Sequence, residues 1–312
     1  MSKTPRNTKV TVSVATYARP ALLLRAVHSV VGQLADGDEL LVIAWSGDDE
    51  SSHALKEVAA MDSVRVLRSA DNTVVAKENA AIDLATGEIV CFMDDDAAAR
   101  ADWLDRIVAW YADPSVGAVG GRDVVRTGDR GLDEPARDIG RVRWYGRLIG
   151  NHHRLSSGTR DVDFLKGVNM SFRRALLPRI DERLAGPIPY GFEIDLGLHV
   201  RALGYRVVYD PAIVVDHYST SDYTASGPIA WKVNHNQTYV LLKRLPSLRK
   251  FTFLAYTFLL GDRNTIGLLR VPFLIVRDRW TIAAIAPHFR GKLAGVRAYA
   301  RSCRVPSEPG GA

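Results

Sequence analysis

Ile89-Val90-Cys91-Phe92-Met93-Asp94-Asp95-Asp96 decides the reading of this chain. The first five residues form a short apolar run that reads as a strand buried on both faces. The three carboxylates that follow repel one another, which is unfavourable at a sheet end unless something positive compensates. Hard divalent cations take oxygen ligands, and magnesium sites typically combine one or two carboxylates with substrate phosphates. The C-terminal end of a strand in an α/β sheet is also where ligands bind. Two readings stand at this point: a metal-diphosphate site, or a solvated acidic turn ahead of a helix capped by Asp102.

Working outward, the flanking sequence alternates strand-like and helix-like segments. Upstream, strands are expected at Val10–Ala15, Glu39–Trp45 and Val64–Arg68. Helices are expected at Pro20–Leu34, Ser51–Met61 and Val75–Ala85, the first with proline in its opening turn and the last closed by Gly87. The acidic strand itself spans Glu88–Met93, and a helix follows over Asp102–Tyr111. Such alternation indicates βαβ units and a mostly parallel sheet. No G-x-G-x-x-G follows the first strand and no G-x-x-x-x-G-K-[ST] occurs, so dinucleotide-binding and P-loop readings lose their main support. Beyond Ala118 come a glycine-rich strand around Val119-Gly120-Gly121 and a strand-like run at Val162–Lys166. A helix is expected over Gly191–Leu203, then short strands near Val207 and at Ile213–Val215.

The 312 residues suffice for a large core. Two cysteines, Cys91 and Cys303, are too few for a disulfide framework and fit a reducing compartment. The net charge of +6 is unevenly divided: from Lys232 onward 14 Lys/Arg face three acids, which leaves the preceding 231 residues at −5. The basic segment carries long apolar runs, Phe251–Leu260 and Val271–Val276, that are too greasy for a nucleic-acid arm and shorter than a spanning helix. Basic, apolar, aromatic-containing segments suit helices lying in a membrane interface; packing on the body or on another subunit is the alternative. With a polar N-terminus that lacks a signal-peptide core, the expectation is a cytoplasmic protein, peripheral on the cytosolic membrane face.

Together these segments resemble the family 2 glycosyltransferases, whose fold is the α/β domain called GT-A. The resemblance covers roughly residues 8–250. Val12-Ser13-Val14-Ala15-Thr16-Tyr17-Ala18-Arg19-Pro20 looks like the family's opening strand and nucleotide-binding turn. Ala76 to Gly87, with Asn79, looks like the helix before the metal strand, and Asp94-Asp95-Asp96 matches the D-x-D motif. Gly167-Val168-Asn169-Met170-Ser171-Phe172-Arg173 is similar to the G-x-N-x-x-x-R stretch near the acceptor. Gly191-Phe192-Glu193-Ile194-Asp195-Leu196 is similar to the motif that supplies the base, and Gly204 through Pro211 to His217 to the segment that closes the site.

The resemblance implies a three-layer α/β/α GT-A fold over 1–225, with nucleotide-sugar binding in about 8–125 and the acceptor side in about 126–225. The segment 226–312 is then a basic, apolar tail of amphipathic helices. It implies a metal-dependent inverting glycosyltransferase that uses Mn²⁺ or Mg²⁺ and acts on a lipid-linked or cell-surface glycan acceptor, as in polysaccharide biosynthesis. Its implied metal ligands are Asp94, Asp96 and His217. Thr16, Tyr17, Arg19, Asn79, Asp94 and Asp95 would bind the nucleotide sugar, and Gly167, Asn169 and Arg173 would line the acceptor side. Glu193 is the first choice as base and Asp195 the second; on a helix, positions two apart do not share a face, so only one acts. Lys166, Arg173 and Arg174 read either as phosphate contacts or as solvated cations, and Trp144, Tyr145, His152 and His153 either as a sugar-stacking cluster or as core. Two departures are visible: Ala44 stands where the family carries an acid often read as a base contact, which makes a UDP donor less secure, and Lys77 precedes Asn79 by two residues rather than one. Alternatives are a non-catalytic scaffold of a glycan-assembly complex and a nucleotidyltransferase; a nucleic-acid partner is not expected.

Overall fold

The protein is described here by a computed structural model covering residues 8–126, 134–184, 186, 190–218, 227–278 and 280–304. The expected boundary between 225 and 226 lies outside these residues. In chain order the first elements are β1 (Val10–Thr16), α1 (Pro20–Val31), β2 (Glu39–Trp45), α2 (Ser52–Ala59), β3 (Val64–Ser69) and α3 (Val74–Leu84). Next come β4 (Ile89–Asp94), β5 (Ala97–Ala99), α4 (Trp103–Trp110) and β6 (Val116–Val125). β7 (Arg141–Val142), β8 (Leu148–Ile149), β9 (Arg160–Asp161) and β10 (Met170–Arg173) are short. α5 (Phe192–Ala202), β11 (Arg206–His217), α6 (Gly227–Arg244), α7 (Ser247–Ala255), α8 (Val271–Val276) and α9 (Ile282–Ser302) follow.

These elements form two compact units. The first holds the described residues within Met1–Arg141, Ile149–Pro187 and Leu196–Asp222; the second holds those within Val142–Leu148, Ile188–Asp195 and Tyr223–Ala312. The first is built on one sheet of order β3-β2-β1-β4-β10-β6-β11-β5, with β9 paired to β11. Neighbours are parallel from β3 to β4 and between β6 and β11, whereas β10 runs antiparallel to both β4 and β6. The period-two pattern of β1 explains the layering. Val10, Val12 and Val14 enter a core with Leu23, Val27 and Val30 of α1, while Leu41 and Ile43 of β2 pack with Ala81 of α3 in a separate cluster. On the polar side of β1, Thr11 donates to Glu39 at 2.8 Å and Ser13 to Glu78 at 2.9 Å, so these buried hydroxyls are satisfied.

Three local expectations change. Val162–Lys166 is not a strand; the strand is the next segment, Met170–Arg173, which slots between β4 and β6. Gly120 permits this, since a Cβ there would lie 2.3 Å from the Asn169 carbonyl oxygen. The two short strands near Val207 and Ile213 are one strand, β11, with a register shift between Asp210 and Val214. Pro211 sits inside that shift, where its missing N–H does least harm to the ladder. Asp102 occupies the N-cap position of α4 but makes no side-chain cap bond, and its carboxylate instead accepts from Arg106 at 2.8 Å.

In the second unit α6 carries consecutive buried polar residues, Asn234 to Thr238 with His235. α9 crosses it at close range because Gly291 and Gly295 lack side chains: a Cβ at either would lie 2.3 Å from the Trp231 oxygen or 2.5 Å from the His235 oxygen. The apolar run Phe251–Leu260 turns Phe253, Tyr256 and Thr257 inward, whereas α8 buries none of its residues. Among the described residues no helix is long and apolar enough to cross a membrane. Cys91 is fully buried in β4 and Cys303, at the end of α9, is exposed.

Candidate active site

The parallel strands β1 and β4 end side by side, with Ala15 opposite Asp94, and this brings the β1–α1 turn against the acidic triplet. The turn bends sharply: Ala18 has φ +51°, a left-handed conformation that costs a non-glycine residue roughly 1–3 kcal/mol. Two carboxylates hold it. Asp48 accepts from the Ala18 amide at 3.0 Å and from the Ser51 amide at 3.1 Å. Asp95 accepts from Thr16 Oγ1 at 2.8 Å and from Arg19 at 3.1 Å. Burial pushes Asp48 up, but these amide and hydroxyl bonds win and keep it below the usual carboxylate range. Lys77 is buried in α3 and donates to the Thr16 oxygen at 2.9 Å; its ammonium lies 5.7 Å from the Tyr17 ring centroid. Tyr17 itself stays exposed, edge-on to Trp45 at 5.9 Å between centroids.

The three neighbouring acids meet three different surroundings. Asp95 faces the turn just described, and burial raises it. Asp96 accepts from Arg19 at 3.0 Å and lies 3.2 Å from His217 Nε2. Burial pushes Asp96 up, but His217 and Arg19 hold it below the ordinary value. Asp94 remains open to solvent at the strand tip although protein crowds its carboxyl; that crowding, with the Asp96 charge, raises it to about 6.

β11 delivers His217 to the same place by pairing it with Ala97. Ligand atoms of Asp94, Asp96 and His217 all lie within 4.8 Å of one another. Asp96 Oδ1 is buried without a hydrogen-bond partner, the condition of an atom able to accept an ion. The carboxylate oxygens suit Mn²⁺ or Mg²⁺, and an imidazole nitrogen among them favours Mn²⁺, the transition metal of the two. Behind His217, Asp123 of β6 is fully buried, ion-paired with Lys166 and 3.6 Å from His217 Nδ1. Burial opposes its charge, but Lys166 and His217 hold its carboxyl well below the usual range. His217 is raised to about 9: burial lowers it, and the Asp123 and Asp96 carboxylates outweigh that.

Thr16, Tyr17, Arg19, Asp94, Asp95, Asp96 and His217 thus gather at the C-terminal ends of the sheet's parallel strands. Other residues named from sequence are engaged within the fold. Asn79 is buried and spends both amide functions on Ile180, donating to its oxygen at 2.9 Å and accepting from its nitrogen at 2.6 Å. Asn169 accepts from Trp103 at 2.9 Å and donates to the oxygens of Arg122 and Ile213. Arg173 caps carbonyls of Val116, Tyr111 and Asp113. Gly167 is half-buried beside Lys166. His152 is buried at 3.2 Å from the Phe164 oxygen, and burial lowers it to about 4; Trp144 and Tyr145 belong to the other unit, where Tyr145 packs on Tyr256 at 4.8 Å.

In the second unit the first turn of α5 separates the two base candidates. Asp195 is buried and ion-paired with Lys243, at 2.9 Å, and with Arg244. Glu193 is half-buried, and its Oε2 accepts from the Gly191 amide at 3.1 Å. α6 fixes this turn from outside, as Asn236 donates to the Tyr190 oxygen at 2.8 Å. Asp48 and Asp123 are not among the site residues expected from sequence, where Lys77 stands only as a displaced counterpart of the family's basic residue. Asp48 was visible only as one of the late acids after β2, and a lone acid in a glycine-rich strand gives no local signal.

Solved structures share this architecture. GalNAc-T7, determined with UDP, GalNAc and Mn²⁺, superposes with TM-score 0.60 at 16% identity over 87% of this chain and 57% of its own. The mannosyltransferase PcManGT from Pyrobaculum calidifontis, determined with GDP-Man and Mn²⁺, gives 0.56 at 20% identity over 97% and 89%. These likenesses define the fold, the α/β architecture called GT-A. More narrowly, residues 5–228 match the family described as Glycosyltransferase like family 2, and the chain belongs to that family. Among curated relatives, the glucosyl-dolichyl phosphate glucuronosyltransferase of Haloferax volcanii is 30% identical over 67% of this chain and 69% of its own length. An uncharacterized protein of Sinorhizobium fredii is 25% identical over 88% of this chain, which spans only 31% of that protein.

Proposed function

We propose that this protein transfers a sugar from a nucleotide-sugar donor to a hydroxyl of a lipid-linked or cell-surface glycan, with inversion at the sugar carbon. The convergence of Asp94, Asp96 and His217 ligand atoms within 4.8 Å, next to the β1–α1 turn, carries this reading. These residues would hold Mn²⁺ or Mg²⁺. When bound, the cation supplies a Lewis acid that neutralises charge on a diphosphate leaving group.

The remaining roles fall to the chain itself. Tyr17, exposed beside Trp45, offers an aromatic face to the nucleobase. Arg19 bridges Asp95 and Asp96 through one guanidinium nitrogen and holds both in place. Asp123, carrying Lys166, orients His217 as a carboxylate behind a ligating imidazole does. Glu193 takes the proton of the attacking hydroxyl onto its carboxylate. Asp195 is neutralised by Lys243 and Arg244 and serves as an anchor for the turn. The lipid-linked acceptor is supported by the Haloferax volcanii relative, a glucosyl-dolichyl phosphate glucuronosyltransferase. Position 44 is alanine, and the neighbouring structures carry both UDP and GDP-Man, so the donor base is open to either.

Calorimetry with UDP, GDP, dTDP, CDP and ADP, in Mn²⁺ or Mg²⁺ and then in chelator, tests the reading. Metal-dependent binding of one nucleotide is expected. Binding of none would put a non-catalytic scaffold in its place.

A further inference from the structure

α8 is Val271-Pro-Phe-Leu-Ile-Val276, six apolar residues, none of them buried. A helix this short is not stable in water by itself, and soluble monomers rarely leave large contiguous apolar patches uncovered. Phe273 is 72% exposed and Val276 83%; the preceding turn adds Leu268 at 57% and Leu269 at 58%, and Leu259 and Leu260 are exposed as well. The patch rests on a firm base. Gly261 and Ile266 form a bridge, Asp262 Oδ1 accepts from Asn264, Thr265 N and Thr265 Oγ1 at 2.9–3.0 Å, and Lys292 donates to the oxygens of Thr257 and Ile266. These residues are presented by a built hairpin and helix.

Three exposed arginines, Arg263, Arg270 and Arg277, are interleaved with this apolar surface. We infer that Leu259–Val276 is a docking surface for an anionic phospholipid bilayer, with the apolar side chains in the headgroup–acyl boundary and the arginines at the phosphates. A second copy of the chain is a poorer occupant. A two-fold contact sets a patch with three exposed arginines, one of them 3.9 Å from the exposed Asp278, against its own copy, so the excess positive charge is doubled rather than offset. α9 commits its Gly291–Gly295 face to α6. The basic tail anticipated from sequence therefore divides into a packed helix pair and a short lipid-facing segment. This inference concerns adsorption and stands apart from the proposed transfer reaction.

Sedimentation of the full chain with vesicles of phosphatidylcholine, with and without phosphatidylglycerol, tests it. Wild type should sediment with the anionic vesicles and be released as salt rises. Leu269→Glu combined with Phe273→Glu should lower vesicle partitioning about tenfold or more while leaving the thermal midpoint unchanged, since both side chains are already in water. Arg270→Gln with Arg277→Gln should remove most of the preference for phosphatidylglycerol. Absence of wild-type binding, or equal binding by the double glutamate variant, would overturn the inference. So would ultracentrifugation showing a wild-type dimer that this variant splits, with no vesicle binding. Nucleotide binding is read separately, so either failure leaves the transferase reading intact.

Discussion

The end of β4 and the first turn of α5 both crowd acids, and they settle them in opposite ways. On α5 one carboxylate, Asp195, has two cations, Lys243 and Arg244, and is buried and closed. At β4 the carboxylates of Asp94, Asp95, Asp96 and Asp123 share Arg19, Lys166 and His217, and a buried ligand atom, Asp96 Oδ1, is left without a hydrogen bond. Over-compensated acids act as structural anchors; under-compensated ones create demand for a further positive charge. The difference lies in the partners supplied from distant parts of the chain, since both are acid-rich stretches in sequence.

Four outcomes break or sharpen this contrast. Asp96→Ala should abolish metal-dependent nucleotide binding, seen by calorimetry as loss of the difference between Mn²⁺ and chelator; unchanged binding would remove Asp96 from the site. Glu193→Gln should keep donor affinity and lower kcat by about 10²-fold or more. Asp195→Asn should instead cost about 3 kcal/mol of stability, read by denaturant unfolding, because it removes the buried carboxylate that pairs with two cations. If Asp195→Asn leaves stability alone and removes turnover, the anchor and the base have been exchanged. Asp123→Asn should weaken Mn²⁺ affinity about 10–100-fold through misorientation of His217, with the nucleotide preference unchanged.

The smallest effect concerns pH. Burial raises Glu78 to about 8 from 4.5, against the Ser13 hydrogen bond. The folded state thus binds more protons than the unfolded between these values, and stability falls as pH climbs from about 4.5 to 8. Glu78→Gln should match wild type near pH 4 and exceed it by about 2–4 kcal/mol at pH 8, in denaturant titrations with chelator present. A constant difference across that range would show that Glu78 is ionised in the fold.

Between Val10 and Tyr111 the fold was legible because each βαβ unit announces itself locally, through period-two valines and helix-ending glycine or proline. β10 was not, since four residues become a strand only by filling the space between β4 and β6, which no local pattern encodes. The same holds for β11, whose bulge at Pro211 looks like two strands in a linear reading. At the site, the acid triplet and His217 could be paired from the order of the motifs. Asn169 and Arg173 sit in a stretch that looked like an acceptor motif, yet their polar atoms stitch β6, β11 and the end of α4 together. Asp123 was silent, because its meaning depends on Lys166 and His217 arriving from elsewhere.

The two cysteines give the native chain a single chemical handle. Cys91 is sealed inside β4 and Cys303 stands in solvent at the end of α9, so a thiol-reactive fluorophore should attach at one place without any engineering. A probe there rides on the helix packed against α6 rather than on the lipid-facing segment, and it would report, by quenching from labelled vesicles, how far above the bilayer that helix is carried.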